Sequence, residues 1–406
     1  MRAPLTPIKA FLVDAATLGK AGDATSADDP RLSQWLAVAQ AAERLAELRP
    51  PQRGEYATIL RGTVLSLRTE RPTQIEGDGR TPTDAVSKLG ERLRLEAEDM
   101  ERAGCFELAL TTVSSVCQML ARGAVTARLL ATAHLGRVTR QIGELSSAAD
   151  CYTTVTTAGL AVNDGPVAAH GFIGLGNVAH ARGNRPDQKT YYLRALALAA
   201  KGSPVELSAH QGLMVTANQQ GELADALLHG WCVHDLAAPN SEVQFETLTN
   251  LADSALQGGF FDASISGFDY VIQRTTLSRL RLPAIGGGMK AASYKGSRET
   301  VDQLEELGRA EVKRSALPHE SAKFFFCAAE ARRHLGDEQS VSRLISATLD
   351  LADAFGFHEL RVRAGSLLDA RRKNRGNLTT LQPYAADQSD PMVKDGIGRL
   401  CALSHA

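Results

Sequence analysis

The chain is expected to fold as an all-α solenoid of antiparallel helix pairs, and three observations carry that expectation. A glycine followed five residues later by a small or β-branched residue recurs at Gly104/Ala109, Gly143/Ala148, Gly183/Gln188 (the one exception in residue type), Gly221/Ala226, Gly258/Ala263, Gly296/Val301 and Gly336/Val341. Successive glycines stand 39, 40, 38, 37, 38 and 40 residues apart, a period typical of helical repeat arrays. The apolar fraction, 44% of 406 residues with only 5% aromatics, is dominated by Leu and Ala, which favour helix over strand. A unit of that size cannot bury its apolar face alone, so neighbours stack to make the core.

The elements follow in order. Ile8–Leu18 is a short apolar piece and Gly19–Pro30 a polar linker. Leu32, Trp35, Leu36, Ala39, Ala42, Leu45 and Leu48 fall at helical spacing, and Pro50-Pro51 ends that helix. Glu55–Arg68 reads as its antiparallel partner, making residues 31–68 a capping pair, and residues 69–83 form a loop around Gly77-Asp78-Gly79. The periodic part begins near residue 84. In each unit a first helix ends at the quoted glycine, which takes positive φ at little cost, and a second helix carries the small residue where the two approach closely. Gly286-Gly287-Gly288 is expected to break a helix, and of Phe324-Phe325-Phe326 one or two are expected in the core with the third free as an anchor. His358–Arg372 makes a closing helix, followed by a polar stretch at 373–390 and a short amphipathic helix over Met392–Leu403 that docks or stays mobile. The implied division is a segment and cap at 1–83, repeats at 84–357, and a closing helix and tail at 358–406.

Composition narrows the function. Lys and Arg number 45 against 46 Asp and Glu, without the basic excess of bulk nucleic-acid binders. Six cysteines lie far apart with no C-x-x-C pair; those in the repeats fall within apolar helical patterns and read as buried free thiols. With no secretory leader and no apolar stretch of membrane-spanning length, a cytoplasmic protein is expected.

In one unit Leu135-Gly136, Gly143, Ala148 and Tyr152, and in the next Leu175-Gly176, Gly183, Tyr192 and Ala195, occupy corresponding places. The segment from Leu135 resembles a tetratricopeptide repeat, whose pattern pairs Leu-Gly in the first helix with a turn glycine, then Ala and an aromatic in the second. The likeness covers roughly residues 84–365 and is clearest over 129–228. The period averages about 39 rather than the family's 34, with the extra residues placed in longer helices or in loops such as Asn163–Val167 and Gly202–Val205. HEAT-like repeats are the structural runner-up, though they lack both the Leu-Gly pair and the turn glycine. The resemblance implies a right-handed superhelix of about seven helix pairs, whose first helices line a concave groove.

The groove-facing places would be 13, 10, 6, 3 and 2 residues before each turn glycine. Counted so, Arg137 and Arg140, then His170, Asn177 and His180, then Gln211 and Asn218 form a polar, partly cationic track across three repeats. Amides and guanidinium groups can hold a peptide backbone or a terminal carboxylate. Asn177 matches the asparagine with which peptide-binding family members hold a ligand backbone, while the lysines of the chaperone-type carboxylate clamp are missing. Lys290, Lys323, Arg332 and Arg333 add positive charge further along, and Arg361, Arg363, Arg371, Arg372, Lys373 and Arg375 form a basic cluster near the end. No nucleophile, carboxylate pair, phosphate loop or dinucleotide fingerprint has the required spacing. His134, His170, His180 and His210 have no Cys or carboxylate at ligand spacing, so neither metal nor cofactor is expected. The expected function is a non-catalytic scaffold or adaptor that takes a peptide or partner protein in the groove. The alternative is a ligand- or peptide-responsive regulator of a partner enzyme or transcription factor.

Overall fold

The computed structural model describes residues 94–95, 97–98, 100–101, 106–120, 125–315, 317–372 and 389–405, and all regular structure among them is helical. The expected capping pair at 31–68, the loop at 69–83, Gly104, Cys105 and residues 373–388 lie outside the described residues. The chain divides into two compact units, residues 1–184 and 185–406.

In the first unit the described residues between 94 and 101 are helical. They precede α1 (Phe106–Met119), α2 (Val125–Gln141), α3 (Leu145–Ala161) and α4 (Gly165–Ala181). The second unit holds α5 (Arg185–Leu198), α6 (Pro204–Gln220), α7 (Leu223–Leu236), α8 (Glu242–Gln257), α9 (Phe261–Arg274), α10 (Ser278–Tyr294), α11 (Arg298–Arg314), α12 (Pro318–His334), α13 (Glu338–Phe355), α14 (His358–Arg372) and α15 (Pro391–Ala402), closed by a 3-10 turn at Leu403–His405. Within each unit consecutive helices pack together, α1 to α4 and α5 to α14, and first helices of successive repeats also meet: α2 with α4, α8 with α10, α10 with α12, α12 with α14. This is the helical repeat protein that the period implies.

The turn between the helices of a pair is built alike each time. Gly143 takes φ +92° and Gly221 φ +73°. The residue after each donates to the carbonyl five positions back, Glu144 to Thr139 at 3.0 Å and Glu222 to Ala217 at 2.9 Å, the C-terminal closure in which a left-handed glycine satisfies the last helical carbonyls. In one unit the turn sits one residue later than the expected Gly258. Phe260 donates to Ala255 at 2.8 Å, so the turn glycine of that unit is Gly259, with φ +81°, and the buried small residue five later is Ser264. Gly258 keeps helical dihedrals; it is small because a Cβ there would meet Leu223 Cδ2 at 2.6 Å. The helices account for much of the period: six first helices, α2, α4, α6, α8, α10 and α12, run to 16 or 17 residues.

Glycines inside the first helices leave room for an aromatic from a second helix. Tyr152 of α3 is buried between α2 and α4, where a Cβ at Gly136 would stand 3.0 Å from its ring and one at Gly174 only 2.0 Å. In the second unit Gly212 admits Tyr192 and Gly287 admits Phe268, at 2.5 and 2.3 Å by the same measure. The expected break at Gly286–Gly288 is therefore absent: α10 runs through all three, and they are buried contact points. Phe324 and Phe326 are core residues; Phe325 is half-buried against the same core with Arg309 over its ring, so none of the three is a free anchor.

The C-terminal amphipathic helix is docked. α15 packs on α7 and α9, burying Val393, Gly396 and Leu400.

Candidate functional site

Of the seven track residues, five lie on α2 and α4 in the first unit and two on α6 in the second, and each group is described within its own unit.

On α2, Arg137 donates from Nε to Glu101 Oε2 at 2.9 Å and stands 3.3 Å from Glu98. Its charge is thus engaged by the helical residues ahead of α1. Burial pushes the Glu101 carboxyl up, but hydrogen bonding to His134 and the charge of Arg137 outweigh it and hold the group below the ordinary carboxylate value. One turn on, Arg140 is half-buried, with its charge near enough to the Tyr152 phenol to favour the ionised form. Burial pushes that phenol up to about 12, against the pull of Arg140. Arg137 is thus a strut as well as a surface charge.

On α4, His170 and His180 are exposed and Asn177 half-buried. Desolvation and the nearby charge of Arg94 lower the His170 pKa, partly opposed by Asp164. Because α2 packs on α4, these side chains and the two arginines occupy adjoining helices.

On α6, Asn218 accepts from Ser254 Oγ at 2.6 Å, tying α6 to α8 in the same unit, and Gln211 is half-buried. The register also reaches residues that counting to Gly221 missed. Six places before Gly259, Gly296 and Gly336 stand Asp253, Lys290 and Glu330. Lys290 Nζ lies 3.3 Å from Glu330. Burial works against its charge, but the acidic influence of Glu330, Cys327 and Asp253 prevails and raises its pKa. Lys290 therefore adds little net positive charge, and neither does Arg332, held at 2.5 Å by Asp302 and 2.6 Å by Glu305. Extending the count one glycine at a time, with the turn at Gly259, would have found this row in the sequence.

Elsewhere His210 Nδ1 and His229 Nδ1 meet at 3.0 Å between α6 and α7. Among the described residues no group of three or more His, Cys, Asp or Glu side chains could hold a metal ion. Of the cysteines there, Cys117, Cys151, Cys232 and Cys327 are half-buried free thiols and Cys401 is exposed. Among the described residues, no helix is long and apolar enough to cross a membrane.

No family model matches the chain, and no curated protein matches it. Among solved structures it is similar to a circular tandem repeat protein with novel repeat topology and enhanced subunit contact surfaces. The identity is 14%, over 93% of this chain and 96% of that one, with a TM-score of 0.18. An overlap of that quality carries no argument, and the fold described above rests on its own geometry.

Proposed function

We propose that this helical repeat protein is a non-catalytic adaptor of the tetratricopeptide kind, working in the cytoplasm and taking a peptide or partner protein on the face formed by its first helices. The observation that supports this reading is the pairing of α2 and α4, which sets Arg137, Arg140, His170, Asn177 and His180 on adjoining helices, all half-buried or exposed. A row of amide, imidazole and guanidinium donors suits an extended backbone or a carboxylate. In the second unit Gln211 lies in the same register, as does Asn218, whose carbonyl already accepts from Ser254.

Because Arg137 also braces the first unit and the charge of Arg140 acts on the Tyr152 phenol, the discriminating variant leaves them in place. Asn177→Ala with His180→Ala should remove a protein recovered by the unaltered chain from its own cell lysate while leaving the melting temperature within a few degrees. Recovery at full yield by the double variant would put the functional surface elsewhere. If neither chain retains a protein, a thermal shift on adding small ligands separates the regulator reading, since anything that binds only the folded state raises its stability.

A further inference from the structure

The seam between α7 and α9 is covered by α15, which also touches α8. α7 and α9 are the second helices of successive repeats, so this face differs from the first-helix face discussed above. The helix is seated by a short, specific set of contacts. Val393, Gly396 and Leu400 are its buried residues, spaced at i, i+3 and i+7, the stripe with which an amphipathic helix lies in a groove. The seat for position 396 is tight: a Cβ there would stand 3.0 Å from Leu227 Cβ, so any side chain needs the neighbour to give way. Leu400 in turn fills the space left by Gly267, whose added Cβ would meet Leu400 Cδ2 at 3.1 Å. Trp231 Nε1 donates to the Gly396 carbonyl at 3.1 Å. The Arg399 guanidinium lies 3.9 Å over the Trp231 ring and 2.6 Å from Asp235, a cation seat with an aromatic floor and an acidic wall.

Two features show that the seat is larger than its occupant and its polar grip modest. A cavity of about 120 Å³ remains where α15 meets α7, beside Leu228, Trp231, Cys232 and Met392; Leu228 and Met392 are still 39% and 41% exposed. The ion pair is open to water, with Asp235 55% exposed, where such pairs contribute little.

We propose that the α7/α9 seam is a docking site for an amphipathic helix of a partner protein, and that α15 is its resident occupant. The partner helix carries an apolar residue, a small residue three positions on, a cation six on and an apolar residue seven on, as in Val393, Gly396, Arg399 and Leu400. A partner with a bulkier side chain at the place of Met392 fills the remaining cavity and displaces α15.

The test uses the full chain and a fluorescent peptide of residues 389–406 as the probe helix. Gly396→Leu in the full chain should unseat α15 by the contact with Leu227. The peptide should then bind that variant at least tenfold more tightly than the unaltered chain, by anisotropy, with a change in Trp231 emission. Adding Asp235→Lys to the variant should weaken binding several-fold. Leu400→Asp provides a second way to unseat α15 if Gly396→Leu fails to fold. Equal binding to unaltered and unseated chains, or no binding to an unseated chain whose thermal melt stays cooperative, overturns the proposal. So does a dimer of the unaltered chain in light scattering that is lost on Gly396→Leu, which would make the occupant a second copy's α15.

Discussion

Single residues set the turns and the closest contacts, and they fail in distinguishable ways. Gly143 and Gly221 both have positive φ, and at Gly143 nothing stands within 4 Å of an added Cβ. Replacing either with Val strains the backbone and should cost about 1–3 kcal/mol in denaturant melts; an unchanged midpoint would overturn the turn register. Gly174 is the opposite case: its dihedrals are helical, and the obstacle is the Tyr152 ring at 2.0 Å. Gly174→Val should destabilise by about 1–3 kcal/mol through overpacking, and the loss should shrink when Tyr152→Leu is present, as a double-mutant cycle would show. His210 and His229 make a pH-dependent pair. Desolvation lowers both, and the second charge of the pair helps to bring His229 down to about 4, with Asp225 opposing, Lys189 assisting, and Glu206 raising His210. The unfolded chain therefore binds more protons than the folded one between about pH 6.5 and pH 4. Stability from this pair is fully present above that window and lost as pH falls through it. Urea midpoints at pH 7 and pH 5 should differ more in the unaltered chain than in His229→Gln.

Between elements, charge repeats at the period of the fold. Arg137 meets acids 36 and 39 residues earlier, Lys189 meets acids 33 and 36 residues later, and Arg279 meets acids 33 and 37 residues earlier. Each pair links one repeat to its neighbour. Their worth differs with burial. Arg332 is 10% exposed beside Glu305 at 11%, so Arg332→Ala leaves a buried carboxylate with less compensation and should cost about 3 kcal/mol, largely insensitive to salt. Arg279→Ala removes a pair that is 42% or more exposed and should cost under about 1 kcal/mol, vanishing in high salt. Thermal melts at two salt concentrations check both. The helices themselves were legible in the sequence because glycine, small residue and aromatic recur at a fixed spacing. The unit at Gly258-Gly259 shows where that legibility stops: two adjacent glycines satisfy the pattern equally, and it is the hydrogen bond from Phe260 to Ala255 and the positive φ of Gly259 that tell the turn from the packing contact. The candidate track was legible as a register, but not its charge balance. Glu98 and Glu101 engage Arg137 from another helix, a pairing at one period that depends on how neighbouring repeats stack. The triple glycine misled because a helical glycine costs only about 1 kcal/mol, which close packing of Cys327 on Gly286 and Phe268 on Gly287 offsets.

At the scale of the molecule the two units differ in how their apolar residues connect. In the second, most buried apolar residues from Leu223 to Leu400 join in one cluster that runs through α8, α10 and α12, with Ala322, Ala352 and Leu360 in a smaller one. In the first, the described core falls into several small clusters, among them Val113 with Val138, Leu129 with Val155, and Tyr152 with Val178. Local opening follows contact density, so native-state hydrogen exchange should find the slowest amides in α8, α10 and α12, with α2 to α4 opening at lower free energy. Equal protection in the two units would show that side chains outside these clusters carry the first unit's stability. The space shared by a glycine and an aromatic from another helix has one more consequence, and it concerns inheritance. Gly174 can enlarge only if Tyr152 shrinks, and Gly287 only if Phe268 does, so neither site is free to drift alone. Among descendants of this chain such pairs should change together or not at all, leaving a trace of mutual dependence between positions some twenty residues apart that marks the stacking order even where every other resemblance has faded.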